Sequence, residues 1–197
     1  MDAKRLQLRD FIEKHCLVQG DAIKLASGKT SNFYVDCRIA LMDPRSLPLI
    51  AELVYEQIKA IDNPPIAVGG TVVGAVPITA AVVQHSARGG WTLAGFMVRK
   101  DVKPHGTQKK IENAPGRGAR VAIVEDVVTS GGSTIAAIDA AEEAGLEVVM
   151  VIPIVDRGEG GTEAIRKRVP HAIYAPLLRF SDFDSLQPTE IRPTEPA

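Results

Sequence analysis

The sequence has little cysteine, almost no net charge and no long hydrophobic run. Cys16 and Cys37 are the two cysteines among 197 residues, and neither lies with histidines at the spacing of metal ligands, so a zinc site is not expected. Because no secretion signal precedes the first charged residues, we interpret both as free thiols in a reducing compartment and expect a cytoplasmic protein. The net charge of −1 argues against a broad surface for nucleic acid or for an anionic membrane.

Three further absences exclude particular classes of protein. No apolar run has the length of a transmembrane helix, so no membrane partner is expected. No Gly-Lys-Ser or Gly-Lys-Thr follows the glycines at positions 131 and 132, which excludes a Walker-type nucleotide loop. The glycines between Gly69 and Gly74 lack the Gly-x-Gly-x-x-Gly spacing of dinucleotide-binding domains.

Short apolar runs alternate with helical patterns from residue 66 onward. The predicted strands cover 66–68, 91–98, 121–124, 147–155 and 171–178, and the predicted helices cover 77–86, 133–144 and 161–169. This alternation is typical of an α/β fold, and it predicts a five-stranded parallel sheet flanked by helices on both faces. Right-handed crossovers would bring the carboxyl ends of the strands to one edge, where ligands bind.

The two ends of the chain have a different character. Apolar spacing predicts a helix over 4–16, extended segments around a turn within 20–38, and a helix that runs from Asp43, as its N-cap, to Ile61. The tail 187–197 has three prolines and little apolar surface, so we expect it to be flexible. The remainder, residues 1–186, has the length of a single domain.

The most informative segment is residues 121–134, which read Val-Ala-Ile-Val-Glu-Asp-Val-Val-Thr-Ser-Gly-Gly-Ser-Thr. A β-branched run leads into two carboxylates, Glu125 and Asp126, and then into a glycine- and hydroxyl-rich loop that opens a helix. N–H groups at a helix start attract phosphate, and carboxylates beside them accept hydrogen bonds from sugar hydroxyls. The segment therefore predicts a site for a phosphorylated sugar. The alternative is an ordinary strand-to-helix turn, capped by Ser133 or Thr134.

This segment resembles the motif for 5-phosphoribosyl-1-pyrophosphate (PRPP) of the type I phosphoribosyltransferases. The resemblance implies the fold of that family and a set of PRPP-binding residues. From the segment itself these are Glu125, Asp126, Thr129, Ser130, Gly131, Gly132, Ser133 and Thr134. The glycine-rich turn within 68–75, which includes Thr71 and Val72, would hold the pyrophosphate through backbone N–H groups. Simple glycine turn chemistry is the alternative there.

Residues 99–110, which we call the lid loop, follow a predicted strand and contain five cations and one histidine. The loop suits a pyrophosphate, although a solvated run of charge is the usual interpretation. Its order Arg-Lys-Asp-x-Lys-x-His-Gly-Thr is similar to the catalytic loop of orotate phosphoribosyltransferases. The resemblance implies a homodimer whose subunits share the loop. It also implies catalytic roles at the pyrophosphate for Arg99, Lys100, Lys103 and His105.

Residues near the N-terminus resemble the part of this family that covers the pyrimidine. Phe33 and Tyr34 follow a Ser-Gly turn, as in the family's N-terminal hood, which would comprise about residues 1–40. An aromatic pair beside a turn suits a flat base. Plain core residues of an edge strand are the alternative, and Arg38 is either an ion-pair partner or a cation that faces the substrate.

Arg157, just after the fourth predicted strand, matches the family's arginine for orotate. A guanidinium grips a carboxylate with two parallel hydrogen bonds, which lysine cannot do. The resemblance implies that Thr129 also binds orotate. The alternative for Arg157 is a surface ion pair with Asp156 or Glu159.

Two positions depart from the family pattern. Several members carry a lysine before the Ser-Gly turn, where this chain has Ala26. Either Lys24 or Lys29 replaces it, or the contact is absent. Many members also carry a lysine in the glycine-rich pyrophosphate loop, where this chain has Val72 and Val73. The cations for the pyrophosphate would then come mainly from the lid loop.

The resemblance implies a reaction as well as a fold. It is the transfer of ribose 5-phosphate from PRPP to orotate, which gives orotidine 5′-monophosphate (OMP) and pyrophosphate in pyrimidine biosynthesis. The implied cofactor is Mg²⁺, held mainly by PRPP and water rather than directly by protein. No covalent intermediate is expected, because no Ser-His or Cys-His nucleophile is visible. The alternatives are a phosphoribosyltransferase for another base and a PRPP-sensing regulator without catalysis.

Overall fold

The computed structural model describes most of the chain. The described ranges are 1–24, 30–100 and 110–183, with the backbone alone at 19–24 and 30–32. Three predicted features lie outside them: the turn at 27–29, residues 101–109 of the lid loop, and the tail 187–197. The choice between Lys24 and Lys29 as the replacement at Ala26 also lies outside the described side chains.

The first elements are helix α1, Ala3–His15, and a hairpin of β1, Leu17–Lys24, and β2, Thr30–Val35. The Asp2 side chain caps α1 by accepting a hydrogen bond from the Arg5 N–H, which satisfies one of the donors left open at a helix start. The two strands pair in antiparallel fashion. The predicted N-terminal helix is confirmed, and so are the extended segments after it, except that the second ends at Val35 and a helix begins at Cys37 within the range predicted to be extended.

Two helices follow where the sequence predicts one. Helix α2 spans Cys37–Leu41 and helix α3 spans Leu47–Lys59. The prediction that Asp43 is the N-cap was wrong, because α3 begins after Ser46. The Asp43 carboxylate instead accepts the Arg45 N–H at 2.8 Å and shapes the turn between the two helices.

Within the described ranges the central sheet contains seven strands, and all neighbouring pairs are parallel except β4 with β5. The strands are β3 Ala67–Thr71, β4 Ala94–Val98, β5 Ile111–Glu112, β6 Arg120–Val128, β7 Glu147–Asp156, β8 Ile173–Tyr174 and β9 Leu178–Arg179. Their order is β5-β4-β3-β6-β7-β8, with β9 also paired to β7. The carboxyl ends of the parallel strands meet at one edge, as predicted.

Helices cover both faces of this sheet. The remaining helices are α4 Ala75–Ser86, α5 Gly132–Glu143 and α6 Gly161–Arg168. One apolar core lies under α1 to α4 and includes Ile50 and Ile78, and a second lies under α5 and α6 and includes Ile138 and Ile165. The predicted α/β architecture is confirmed. Among the described helices, none has both the length and the apolar character to cross a bilayer.

The sheet departs from five strands at two places. β5 is an additional antiparallel strand, in which Ile111 pairs with Val98 at the end of β4. The last predicted strand, over 171–178, is two short strands, β8 and β9. Pro176 lies between them, and it has no N–H to donate to a sheet ladder.

Gly69 and Gly70 lie inside β3 rather than in a turn, which corrects the predicted end of that strand. A Cβ atom on Gly69 would collide with the Phe96 carbonyl, and one on Gly70 would collide with the Val124 carbonyl. Glycine therefore allows β4 and β6 to approach β3 closely. As a result, the turn that enters the ligand edge begins only after Thr71.

Candidate active site

Two adjoining cavities open at the carboxyl edge of the sheet. The first has a volume of about 580 Å³ and the second of about 510 Å³. The first is lined by Thr71, Val72, Val73, Gly74, Arg99, Lys100, Glu125, Asp126, Val127 and Ser133. The second is lined by Tyr34, Val35, Asp36, Cys37, Arg38, Lys100, Asp126, Val127, Thr129, Ser130, Gly131, Gly132, Ser133 and Arg157. Segments far apart in sequence thus meet around a shared wall that contains Asp126 and Lys100.

The two carboxylates of the motif belong to β6, which runs four residues further than predicted, to Val128 rather than Val124. Glu125 is 4 % exposed. Its Oε2 accepts hydrogen bonds from the Ser133 hydroxyl at 3.0 Å and the Thr134 hydroxyl at 3.3 Å. Glu125 therefore ties the end of the strand to the start of α5, and the Thr134 side chain is directed at this carboxylate.

The environment of Glu125 favours its protonated form. Burial, and then the charge of Asp126, raise the pKa of Glu125 to about 8, while hydrogen bonds from the Ser133 and Thr134 hydroxyls oppose the shift. A carboxyl group in this position holds its proton near neutral pH. The pair formed by Glu125 and Asp126 therefore carries less negative charge than its sequence suggests.

A titration of stability against pH tests this environment. Between pH 4.5, the usual pKa of Glu125, and about pH 8, the folded protein keeps a proton that the unfolded chain has released. The free energy of unfolding therefore falls as the pH rises through this window, by about 1 kcal/mol per pH unit from this group. We expect Glu125→Gln, measured by urea unfolding, to lose less stability than the wild type between about pH 5 and pH 8. Parallel profiles for the two proteins would contradict the protonated carboxyl.

Asp126 faces the ligand space, since it lines both cavities. Its Oδ1 accepts the N–H of Val127 at 2.9 Å, which fixes the carboxylate. A Cβ atom on Gly74 would lie 2.7 Å from this Oδ1. Glycine at position 74 therefore lets the turn before α4 close onto the carboxylate.

The phosphate loop, residues 129–134, forms the floor of the second cavity. Gly131 has φ of 81°, a left-handed conformation that glycine adopts without strain, and α5 begins at Gly132. The loop therefore presents the backbone N–H groups and the positive end of a twelve-residue helix to the cavity. The hydroxyls of Thr129, Ser130 and Ser133 belong to residues that line it. This is an arrangement that binds an anion.

The turn after β3 forms the opposite side of the first cavity. The Thr71 hydroxyl donates to the Ser133 carbonyl at 3.2 Å and joins this turn to the phosphate loop. The Val72 N–H donates to the Val98 carbonyl at 2.9 Å, so this donor is engaged in the sheet rather than directed at a ligand. The Val72–Val73 peptide bond is cis. Val72 thus lies in the cavity wall with its own N–H bonded to β4, and its contact with pyrophosphate stays a prediction.

The described ends of the lid loop lie beside the first cavity. The Arg99 N–H donates to the Lys110 carbonyl at 2.8 Å, which closes the base of the loop. The Arg99 guanidinium forms an ion pair of 2.7 Å with Glu112 on β5, and Lys100 lines both cavities. Lys103 and His105 lie outside the described residues.

The β1–β2 hairpin contributes Tyr34 to the second cavity, and helix α2 contributes Arg38. Arg38 makes a two-pronged ion pair with Asp36, at 2.7 and 2.8 Å, so it is both an ion-pair partner and part of the cavity wall. Phe33 is placed differently, with its ring centroid 6.4 Å from that of Phe180 in an edge-to-face contact. Phe180 was missed by sequence reasoning.

Arg157 is brought to the second cavity by the end of β7, and it is 7 % exposed. Its Nη2 lies 2.8 Å from Oε1 of Glu159. Burial lowers the pKa of Arg157, and the negative charge of Glu159 opposes that shift. The structure therefore combines the two interpretations of the sequence, since Arg157 is both a residue of the cavity and an ion-pair partner of Glu159.

Fold and site together define a phosphoribosyltransferase domain, and residues 40–171 match the family model of that description. The chain is 43 % identical over 166 residues to the orotate phosphoribosyltransferase of Rhodopseudomonas palustris strain BisB5, covering 82 % of this chain and 87 % of the relative. The chain belongs to the orotate phosphoribosyltransferase family.

Solved structures agree with this assignment. The orotate phosphoribosyltransferase of Mycobacterium tuberculosis, in complex with Fe(III) dicitrate, superposes with a TM-score of 0.77 at 35 % identity, covering 91 % of this chain and 98 % of that one. The same protein in complex with PRPP gives a TM-score of 0.73 at 32 % identity, with the same coverage. The predicted type I phosphoribosyltransferase fold is confirmed.

Proposed function

We propose that this protein transfers ribose 5-phosphate from PRPP to orotate, yielding OMP and pyrophosphate in pyrimidine biosynthesis. The observation that carries the proposal is the pair of cavities that share Asp126 and Lys100 as a wall. One cavity suits the pyrophosphate, and the other suits the 5′-phosphate and the base. The shared wall is then the place for the ribose, where one bond breaks and another forms.

The phosphate loop supports the placement of PRPP. Its N–H groups and the start of α5 suit the 5′-phosphate, because they offer donors and the positive end of a helix dipole. Asp126, at the shared wall, suits the ribose hydroxyls as a hydrogen-bond acceptor. Glu125, with its carboxyl bonded to two hydroxyls of the loop, holds this geometry in place.

Catalysis in this proposal is electrostatic. The ribose carbon becomes cationic as the bond to pyrophosphate breaks, and negative charge grows on the leaving group. Fixed cations near that charge lower the barrier, because they need no reorganisation as it develops. Arg99 and Lys100 already lie in the wall of the first cavity, and Lys103 and His105 are proposed to join them from the lid loop.

The base subsite is proposed to lie in the second cavity, between the hood and Arg157. Tyr34 offers an aromatic surface for a flat pyrimidine. Arg157 offers a planar cation for the carboxylate of orotate. A neutral base such as uracil offers no carboxylate for this guanidinium to bind in addition to Glu159, so the buried cation supports an anionic substrate.

Mg²⁺ is the proposed cofactor. Its preferred ligands are oxygens, and the first cavity combines the Asp126 carboxylate with the place proposed for pyrophosphate. Within the described residues, no group of three or more His, Cys, Asp or Glu side chains is arranged to hold a metal. We propose that the ion is held mainly by PRPP and water and that it supplies positive charge to the pyrophosphate when bound.

We also propose a cytoplasmic homodimer. Val73, in the wall of the first cavity, is an apolar side chain that is 79 % exposed, and a partner subunit seated there would cover it. A partner seated there would lie beside the base of the lid loop, which supports a shared lid. The hood at 1–40, the single domain at 1–186 and the flexible tail remain predictions.

The test is the loss of orotate absorbance when the purified protein is mixed with PRPP and Mg²⁺. Uracil, hypoxanthine and adenine are run as parallel bases. We expect orotate alone to be consumed, with release of one pyrophosphate for each orotate. Consumption of another base would contradict the assigned substrate. Tight PRPP binding without consumption of any base would contradict catalysis and favour a regulator.

A further inference from the structure

The turn between β7 and α6 holds Arg157 against the second cavity. It is anchored by Asp156, whose Oδ1 accepts the N–H of Gly158 at 2.9 Å. Gly158, with φ of 69°, and Gly160, with φ of 92°, have left-handed backbones that glycine adopts without strain. The turn therefore has a defined shape, and it folds Glu159 back onto Arg157.

The pair of Glu159 and Arg157 is largely shielded from water. The side chain of Arg157 is 4 % exposed and that of Glu159 is 12 % exposed. Ion pairs exposed to water contribute little to stability. Removal of one partner of a buried pair, in contrast, leaves the other charge buried without an opposite charge beside it, which is costly. Because a guanidinium is planar and its donors are fixed in that plane, a carboxylate on one edge also sets the orientation of the plane.

Two neutral groups also contact Arg157. The Phe180 ring lies beneath the guanidinium, with the Arg157 Cζ 5.5 Å from its centroid. The Phe33 carbonyl accepts a hydrogen bond from Nη2 at 3.5 Å. Of these three contacts, only the one with Glu159 joins two full and opposite charges. It therefore does most to fix the orientation of the Arg157 guanidinium.

We propose that Glu159 is a positioning residue of the base subsite, which holds Arg157 in the plane that receives the carboxylate of orotate. Glu159 acts through Arg157 rather than by touching the substrate. Two parallel hydrogen bonds to a carboxylate require the guanidinium and the ligand to share a plane. Without Glu159 the guanidinium turns towards other acceptors and the preference for a carboxylate falls. This inference rests on the proposed function.

The test compares the equilibrium binding of OMP with that of uridine 5′-monophosphate (UMP), which is the same nucleotide without the carboxylate. The ratio of the two dissociation constants measures what the carboxylate contributes. We expect the wild type to prefer OMP by on the order of 100-fold. Glu159→Ala should lower that preference about tenfold and leave the affinity for UMP unchanged, because the phosphate and ribose contacts are intact. Glu159→Gln retains an acceptor for Arg157 and should stay within about threefold of the wild type.

Glu163→Ala is the matched control, since Glu163 lies in the same region on the exposed start of α6, and it should bind both nucleotides as the wild type does. If Glu159→Ala does not fold, Phe180→Leu removes the ring beneath Arg157 and should also lower the preference. An unchanged or larger preference in Glu159→Ala would overturn the positioning role, because Glu159 would then be neutral or a competitor of the ligand. A wild type that binds OMP and UMP equally would overturn the proposed orotate subsite itself.

Discussion

Asp126→Asn is expected to lower kcat/KM for PRPP by about 10²- to 10³-fold, the range seen when one fixed electrostatic group is removed from an active site. Asp126 lies at the wall that the two cavities share, where the ribose is proposed to bind. The asparagine keeps the shape of the side chain but loses the charge and one acceptor for the ribose hydroxyls. Steady-state kinetics with PRPP as the varied substrate measure the effect.

Asp62→Asn is a suitable control, because Asp62 is an exposed carboxylate that lines a different groove. Its kinetics should match those of the wild type. Thermal unfolding of both variants separates loss of catalysis from loss of fold. Wild-type kinetics in Asp126→Asn would mean that the acidic pair supports the strand end without touching the substrate.

Lys103→Ala is expected to lower kcat by about 10²- to 10³-fold while PRPP binding weakens only modestly. The residue follows Lys100, which lines both cavities, by three positions, and three residues span at most about 11 Å. A cation that meets the pyrophosphate as its bond breaks stabilises the transition state more than the ground state, so the loss falls on kcat. Single-turnover kinetics and PRPP binding by calorimetry separate the two.

Lys110→Ala provides the matched control within the same loop. The Nζ of Lys110 lies 3.7 Å from Oε2 of Glu143, and both side chains are substantially exposed. This ion pair therefore contributes little to stability. We expect its turnover to equal that of the wild type. Equal losses in both variants would show that only the total charge of the loop matters. If neither variant lost turnover, the lid loop would be a solvated run of charge without a catalytic role.

Much of the fold follows from local sequence. The run 147–155 is apolar at nearly every position, which marks a strand buried on both faces, and β7 is found there. Two-residue β5 has no period to detect, and its existence depends on Val98 across the lid loop. Pro176 argues against a single last strand, because proline cannot donate a hydrogen bond to a sheet ladder. The prediction of one strand over 171–178 did not take this proline into account.

The residues of the site also fall into two groups, those that a single segment of sequence predicts and those that only the folded sheet brings together. Motif residues such as Asp126 are close in sequence to the loop they serve, so one segment predicts their neighbourhood. Phe180 and Glu112 reach the site only through the folded sheet. The hydrogen bond from Arg157 to Phe33, for example, joins residues 124 positions apart. Side-chain periodicity carries no information about such contacts, because they depend on the order of the strands in the sheet.

The hydrogen bond between Arg99 and Lys110 has a consequence for how the protein can evolve. The sheet already joins the two ends of this segment. Lengthening such a segment raises the entropic cost of closing the loop only slightly, by about 0.6 kcal/mol for each doubling of its length. Insertions between those ends therefore leave the stability of the domain almost unchanged. Selection on the number and spacing of cations there can act on turnover alone.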